Sequence, residues 1–537
     1  MRKRNLRNKE RGMALLIALM ALFLISAVGL GMMYMSTGET SINANYKDTQ
    51  LAFFAMRGGL EEGRDRLRSN SPSPLNNPPT NTLPTTQLPG TAGSIIYITN
   101  PSPSDPAPVK PDVFGNLYFD DELCHETVAG MAYVAPGTGP CTSQPPANSV
   151  QAYVPSVSPY TNTSSSLSYK WVRITLKQNN TFPNALVHPI DVNNAVNSPV
   201  CWDSARSQEV TASSLGYADC PTAKQAGLQV GPLYIITSLA ITPQGSRRIG
   251  QYETAAESMT PPPGALSLDG PSAAPPAAGI FQPVPNSNPY HINGTDGSAP
   301  SGAPPAVPGC TPNQAAAPAI GTSSSGVASI MNPATGIPAN RYGNYDSGGN
   351  TLLNNPTAVV ADDSSSLTGM YANTGTLNNL VSMLADGADA TLNGCSMNGI
   401  GGSACVPPAT GLGTTANPQI TFVNGDLNWS GNTNGAGVLI VTGNLNIVGT
   451  PTFSGLVLVI GQGTMTVQGG GNGTFFGSVF VANTNTRTSP FSQLATLGQP
   501  ELHWNGGGGN GIYYNSCWAD RINNMHFMVV ASREEMY

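Results

Sequence analysis

The sequence predicts a mainly β protein carried on one long N-terminal transmembrane α-helix and ending in a β-solenoid-like C-terminal domain. An uncharged apolar run from Met13 to Met35, alternating apolar and polar segments beyond it, and Gly-containing units recurring near the C-terminus point to this class. Composition agrees. The 537 residues include 60 Gly and 47 Pro, and 10% are charged, against roughly 25% in an ordinary soluble domain. Low charge with 39% hydrophobic residues and abundant Asn, Ser and Thr suits an exported, loop-rich β protein. It does not suit a cytosolic enzyme. The net charge is −7 and the basic residues gather at the N-terminus, so the folded part lacks the basic stripe that nucleic acid requires. Nucleic acid is excluded as a partner.

No residue from Gly12 to Gly38 is charged. As a helix, Met13–Met35 spans about 35 Å, enough for a hydrocarbon core of about 30 Å. Arg2, Lys3, Arg4, Arg7, Lys9 and Arg11 precede it, with Glu10 the one acid. The positive-inside rule then keeps the leader, residues 1–12, cytoplasmic and exports everything after the transmembrane helix at 13–36. This gives a single-pass inner-membrane protein with its bulk periplasmic or at the cell surface. The competing reading is a cleaved signal peptide with Ser26-Ala27-Val28-Gly29 as its cleavage region. The apolar run is longer than an ordinary signal core of roughly 7–15 residues.

Residues 37–68 read as an amphipathic extension of the same helix. Leu51, Phe53, Phe54, Leu60 and Leu67 are its expected buried positions; Glu61, Glu62, Arg64, Asp65, Arg66 and Arg68 are expected in solvent. Gly58, Gly59 and Gly63 each weaken a helix by up to about 1 kcal/mol relative to Ala, so a kink or a close contact is expected there.

The order Arg11-Gly12-Met13-Ala14-Leu15-Leu16, then Glu39, then Asn45-Tyr46-Lys47-Asp48-Thr49-Gln50-Leu51-Ala52-Phe53 resembles the N-terminal region of PilX-type minor pilins. The resemblance covers about residues 10–68. It departs at Met56-Arg57-Gly58-Gly59, where the family continues Ala-Glu-Ala-Gly, so no Glu is carried over there. The resemblance implies a pilin-like α+β module, other pilins or pseudopilins as partners, and cleavage by prepilin peptidase between Gly12 and Met13. It also implies that the fifth residue after the cut, a Glu in major pilins, is Ile17 here. PilX-type proteins share that absence, which favours a minor, tip or priming role over a bulk filament subunit. The plain alternative leaves Gly12 as a helix-start residue and the chain as an uncut membrane anchor.

Residues 69–115, rich in Pro, Ser and Thr, are expected to form an extended connector. A pilin-like β head is placed at 116–257. In it Tyr169–Leu176 alternates as a half-buried strand, and Leu233–Thr242 turns at Pro243-Gln244-Gly245 into Arg247–Tyr252. Arg247 and Arg248 read as a solvated turn flank. Residues 258–345 are dominated by Pro, Ala and Gly and read as a linker. A C-terminal domain follows at 346–537. Within it Leu377, Leu380, Val381 and Leu384 share one face of a short helix.

Val423-Asn424-Gly425-Asp426-Leu427, Val441-Thr442-Gly443-Asn444-Leu445 and Val459-Ile460-Gly461-Gln462-Gly463 align at a spacing of 18. A looser copy at Gly477–Ala482 follows Gly455–Ile460 by 22. Such units bury an apolar face only by stacking, so a parallel solenoid is expected over about 418–485, with an antiparallel meander as the alternative. Asn444 and Asn446 are expected at its surface, with an internal stacked ladder as the alternative.

The eight cysteines all lie on the exported side, where structural disulfides form. Proximity favours Cys124–Cys141, Cys201–Cys220 and Cys395–Cys405, leaving Cys310 and Cys517. A metal at Cys124-His125 lacks a matching second pair. Asp362-Asp363 and Asp386/Asp389 read as solvated loop acids ahead of weak calcium ligands. No motif for nucleophilic, phosphate-binding or zinc chemistry occurs, and Asp426 is the one acid in the repeats. No catalytic residue, metal or cofactor is expected. The functional expectation is a minor pilin or pilin-like protein of type IV pilus assembly. The alternatives are a membrane-anchored adhesin or polymer-forming protein that is not required for piliation, and a solenoid that binds or degrades glycans.

Overall fold

The computed structural model describes residues 6–68, 75, 95–126, 141–142, 144–145, 150–156, 160, 169–179, 198–204, 206, 208–225, 228–256, 259, 261–271, 281–283, 290–300, 304–307, 310–332, 336–363, 365–367, 369–397, 405, 411–469, 473–506, 511–520 and 527–536. One helix, α1 (Leu6–Leu67), runs unbroken for 62 residues and leads into a mostly β body. The helix continues through the glycines at 58, 59 and 63, and two of them set a close approach: a Cβ on Gly63 would lie 2.7 Å from Ile236 Cγ2, and one on Gly59 2.9 Å from the Tyr169 ring.

This contact corrects the expected burial of α1. The face on the sheet is Ala52, Ala55, Met56, Leu60 and Leu67 with the two glycines, at helical spacing. Leu51 and Phe54 point away and are more than half exposed, and Phe53 is half-buried. At Gly59 and Gly63 only glycine fits, because the backbone there lies too close to the sheet for a side chain.

The sheet beneath α1 is built from β1 (Ile95–Thr99), β2 (Val150–Pro155), β3 (Tyr169–Leu176), β4 (Val200–Asp203), β5 (Gln208–Thr211), β6 (Val230–Ile241) and β7 (Arg247–Ala256). Its main order is β2-β1-β3-β6-β7, with β4 on the first residues of β6 and β5 outside β4. The β6–β7 hairpin forms at the expected turn, where Gly245 takes φ +98°. Strand β3 also lies where expected but is buried on both faces. Val172 and Ile174 face α1, while Trp171 packs with Tyr97, Tyr118 and Leu123 under residues 105–126. The expected connector at 69–115 therefore holds a central strand, β1, and part of the cover of the sheet; residues 69–74 and 76–94 lie outside the described residues.

The second sheet contains β8 (Leu266–Asp269), β9 (Phe281–Pro283), β10 (His291–Asn293), β11 (Ile320–Thr322), β12 (Tyr345–Ser347), β13 (Asn350–Thr351), β14 (Val360–Asp362) and β15 (Ala390–Met397). It continues through β16 (Gln419–Gly431), β17 (Asn434–Val441), β18 (Asn444–Gly449), β19 (Thr452–Gly461), β20 (Thr464–Gly469), β21 (Thr474–Asn485), β22 (Gln493–Gly498), β23 (Glu501–Gly506) and β24 (Gly511–Tyr514).

Its parallel pairings run in three ladders. The first is β14-β11-β8-β21-β19-β17-β16-β15. The second is β9-β23-β20-β18-β16-β15. The third is β12-β10-β24-β21-β19-β17. The repeat units thus pair in parallel and not as an antiparallel meander. Val423 aligns with Val441, Val441 with Val459, and Gly455 with Gly477, matching the spacings of 18 and 22 in the sequence.

These ladders extend well beyond 418–485. The segment read as a linker at 258–345 supplies β8 to β11, and Leu266, Leu268, Tyr290, Ile292 and Ile320 enter the same core as Val441 and Val459. Each strand is three or four residues long, and β8, β10 and β11 contribute one or two apolar side chains each. Its core is built by neighbours distant in sequence, so local composition does not reveal it. These early strands stack on the late ones, β8 on β21, β9 on β23 and β10 on β24, so chain order and stacking order differ.

The helix Thr374–Asp386 starts at an Asn373/Thr376 capping box and lays Leu377, Leu380, Val381 and Leu384 on the outer face of the first ladder, against Ile440, Leu458 and Phe480. After the second sheet the chain returns. Its last strand, β25 (Phe527–Met536), pairs antiparallel with β7, so the helix-packed sheet does not end at residue 257.

Four disulfides form: Cys124–Cys141, Cys201–Cys220 and Cys395–Cys405, the pairs that proximity favoured, and Cys310–Cys517, the two cysteines left over. Cys310–Cys517 closes a sequence separation of 207 and staples the early strands to the late ones. In the chain-entropy description such a loop contributes about 5 kcal/mol, more than any of the shorter ones.

Candidate functional site

Residues 13–47 of α1 are exposed on every side. Phe23 is 78% and Ile25 70% exposed, and the helix carries no charge from Gly12 to Gly38. Three of its hydroxyls bond back to the helix: Ser26 Oγ donates to the Leu22 carbonyl at 2.8 Å, Thr37 Oγ1 to the Met33 carbonyl at 2.6 Å and Thr40 Oγ1 to the Ser36 carbonyl at 2.8 Å. An apolar helix with its backbone internally bonded has the properties a lipid or helix-bundle environment demands. The Gly12–Met13 junction lies inside this helix.

At residue 48 the helix meets the sheet. Thr242 Oγ1 donates to Asp48 Oδ2 at 2.8 Å and ties the β6–β7 turn to the point where α1 leaves the head. One turn before the helix ends lies a cluster that was expected in solvent and is buried. Glu62 is 0% and Arg66 5% exposed; they pair at 3.2 Å, and Arg66 also donates to the Pro155 carbonyl at 2.9 Å. Glu62 further accepts from Ser156 Oγ at 2.7 Å and from the Tyr169 hydroxyl. Burial, and then the Glu62 charge, push the Tyr169 hydroxyl pKa far up, so it stays a donor. Arg68 reaches beyond the head and pairs with Asp389 at 2.7 Å, joining α1 to the second sheet. Arg64 donates to the Phe527 carbonyl at 3.1 Å and holds β25.

The opposite face of the sheet hides a second ionic cluster. Arg173 is fully buried and bonds Asp120 at 2.5 Å, Thr237 Oγ1 at 3.0 Å and Glu126. Burial opposes its charge, but Asp120 and Glu126 outweigh burial and hold its pKa above the ordinary value. Arg247 and Arg248 are not a solvated flank: they are half-buried and pair with Asp121 at 2.5 Å and Glu534 at 2.8 Å.

The remaining candidates are placed as follows. Cys124, His125 and Cys141 lie within 4.8 Å of one another, but both sulfurs belong to a disulfide and offer no thiolate. Asp362 and Asp386 are exposed. Asp389 is not a free loop acid: besides pairing with Arg68 it accepts from the Ile420 amide at 2.8 Å. Asp363 is buried, against expectation. Asp426 accepts from the Asn444 backbone amide at 2.7 Å and so joins β16 to the start of β18. Asn444 and Asn446 are half-buried, and their side-chain amides donate to Gln462 at 2.8 Å and Asn428 at 3.2 Å in neighbouring strands.

A long helix, apolar and bare from Met13 to Gly38 and packed from residue 48 onwards on a mixed β-sheet, fits a single-pass membrane anchor carrying a mostly β body. Residues 11–55 match the family described as PilX N-terminal, so this region is of the PilX type. No curated protein and no solved structure matches the chain.

Proposed function

We propose that this protein is a minor pilin or pilin-like protein of type IV pilus assembly that displays an exported β-rich body. The observation that carries the reading is the bare, uncharged stretch of α1 from Met13 to Gly38, lying in the segment that matches the PilX N-terminal family. In this reading the protein performs no reaction. Its partners are other pilins or pseudopilins, prepilin peptidase, which cuts between Gly12 and Met13, and the inner membrane. The N-terminus is cytoplasmic. The bulk is periplasmic or at the cell surface, reaching the pilus after cleavage.

The second sheet is read as a β-solenoid, from three parallel ladders around one apolar core. A body this large beside α1 crowds neighbours in a repeating filament, which favours a tip or minor position. The second reading is a membrane-anchored adhesin or polymer-forming protein. The extent of the ladders, from β8 to β24, supports it.

A photo-crosslinking residue at Leu24 separates the two in native membranes. Adducts with other pilin subunits are expected. Lipid adducts alone would sink the pilus reading and leave a surface protein on a membrane anchor.

A further inference from the structure

Asp269 and Asp363 are buried carboxylates that no role above absorbs and for which no ion pair is found among the described residues. They are 5% and 4% exposed, and the Oδ2 of each has no hydrogen-bond partner. In the first ladder Leu268 pairs with Thr322 and Thr322 with Asp362, which places Asp269, Ser323 and Asp363 in one file across β8, β11 and β14. Asp269 lies beside Ala482 of β21, whose side chain belongs to the outer cluster with Leu367 and Tyr371. Asp363 folds back over Gly321: a Cβ there would strike its Oδ2. Both acids therefore face the covered side of the ladder, at the end where the early strands stack on the late ones.

Nothing described around them compensates a negative charge. From β11 the neighbours in the file are Gly321, Thr322 and Ser323; from β21, Ala482 and Asn483; from the turn after β14, Ser366, Leu367 and Tyr371. Tyr371 is fully enclosed and burial pushes its phenol up, so it stays neutral. Beyond the Gly498–Pro500 contact with Gly270, Glu501 is already tied to Arg487 at 2.7 Å and to His503 at 3.2 Å. The one charge acting on Asp363 is Asp362, another acid.

We propose that this file is a proton-dependent clasp: with Asp269 and Asp363 protonated, β8, β11 and β14 stay seated on the stack, and release of the two protons to solvent loosens them. Burial raises both carboxyls to about 7, with Asp362 adding to the effect on Asp363. Their ordinary value, about 3.9, applies once the strands open. The folded value is raised, so the stabilisation is complete below about pH 4, is lost as pH rises towards 7, and changes little above that. The clasp does not depend on the pilin reading.

Hydrogen exchange of the full-length protein in detergent, corrected for intrinsic rates, tests it. Peptides covering β8, β11 and β14 should open more readily between pH 4 and pH 7, by up to about tenfold per pH unit for each carboxylate. Peptides from β17 and β19 should stay flat. Asp363→Asn should remove one proton's share of the slope, and adding Asp269→Asn should flatten it. A flat wild-type profile overturns the clasp without any variant. An unchanged slope in either variant that folds overturns it too. Recovery of protection at pH 7 on adding calcium overturns it in favour of a cation site.

Discussion

Arg173→Leu is expected to destabilise the helix-packed sheet by about 3–5 kcal/mol, the cost of breaking a fully buried ion cluster from one side. The guanidinium serves Asp120 and Glu126 together. Tyr97 donates to Asp120 at 2.9 Å, while Gln251 and Thr175 donate to Glu126 at 2.9 and 2.8 Å. Those neutral donors remain after the substitution, but the positive charge goes and two acids stay buried. Their carboxyls must then rise, so the variant should recover part of its stability on acidification. Because the chain has two sheets, a single unfolding midpoint is a poor readout. Exchange protection at 169–176 and 233–241 should fall while that at 438–441 and 456–460 stays. Equal loss in both sheets, or none, would contradict the account.

The second large effect belongs to Gly455. Its φ is +145°, a region glycine alone occupies comfortably, and a Cβ there would overlap the Gly437 carbonyl oxygen. Gly437, Gly455 and Gly477 stand in register, so the bend between the third and first ladders is stacked three strands deep. Gly455→Ala is expected to cost about 3 kcal/mol or more, from backbone strain and a clash with main chain that cannot move aside. Gly411 provides the control: its φ is +65°, but a Cβ there meets open space. Gly411→Ala should cost only about 1–2 kcal/mol. Similar losses at both positions, measured by denaturation of the second sheet, would show that conformation matters and stacking does not.

What the sequence revealed divides by range. Helix α1, strand β3, the β6–β7 hairpin and the capped helix at 374–386 follow from local periodicity and turn chemistry, and all form where expected. The repeats were legible because parallel pairing puts identical positions in register, so spacing in the sequence becomes spacing in the ladder. The return of β25 to β7 and the stacking of β8 on β21 were not, since each joins segments more than 200 residues apart without any shared pattern.

The buried charges failed for another reason. Glu62, Arg66 and Arg173 look like surface residues by type, and only the covering partner reveals their burial. For α1 a signal did exist. Ala55, Gly59 and Gly63 recur every four residues and mark a face for close approach, yet the bulky Leu51 and Phe54 drew the assignment to the wrong side.

The central claim is that α1 enters the membrane as a pilin-type helix. Intact mass spectrometry of the protein from its native membrane, with and without prepilin peptidase, tests it most directly. A start at Met13 that depends on the peptidase is the expected result. A chain that still begins at Met1 when the peptidase is present, or one that begins near Leu30, would contradict it.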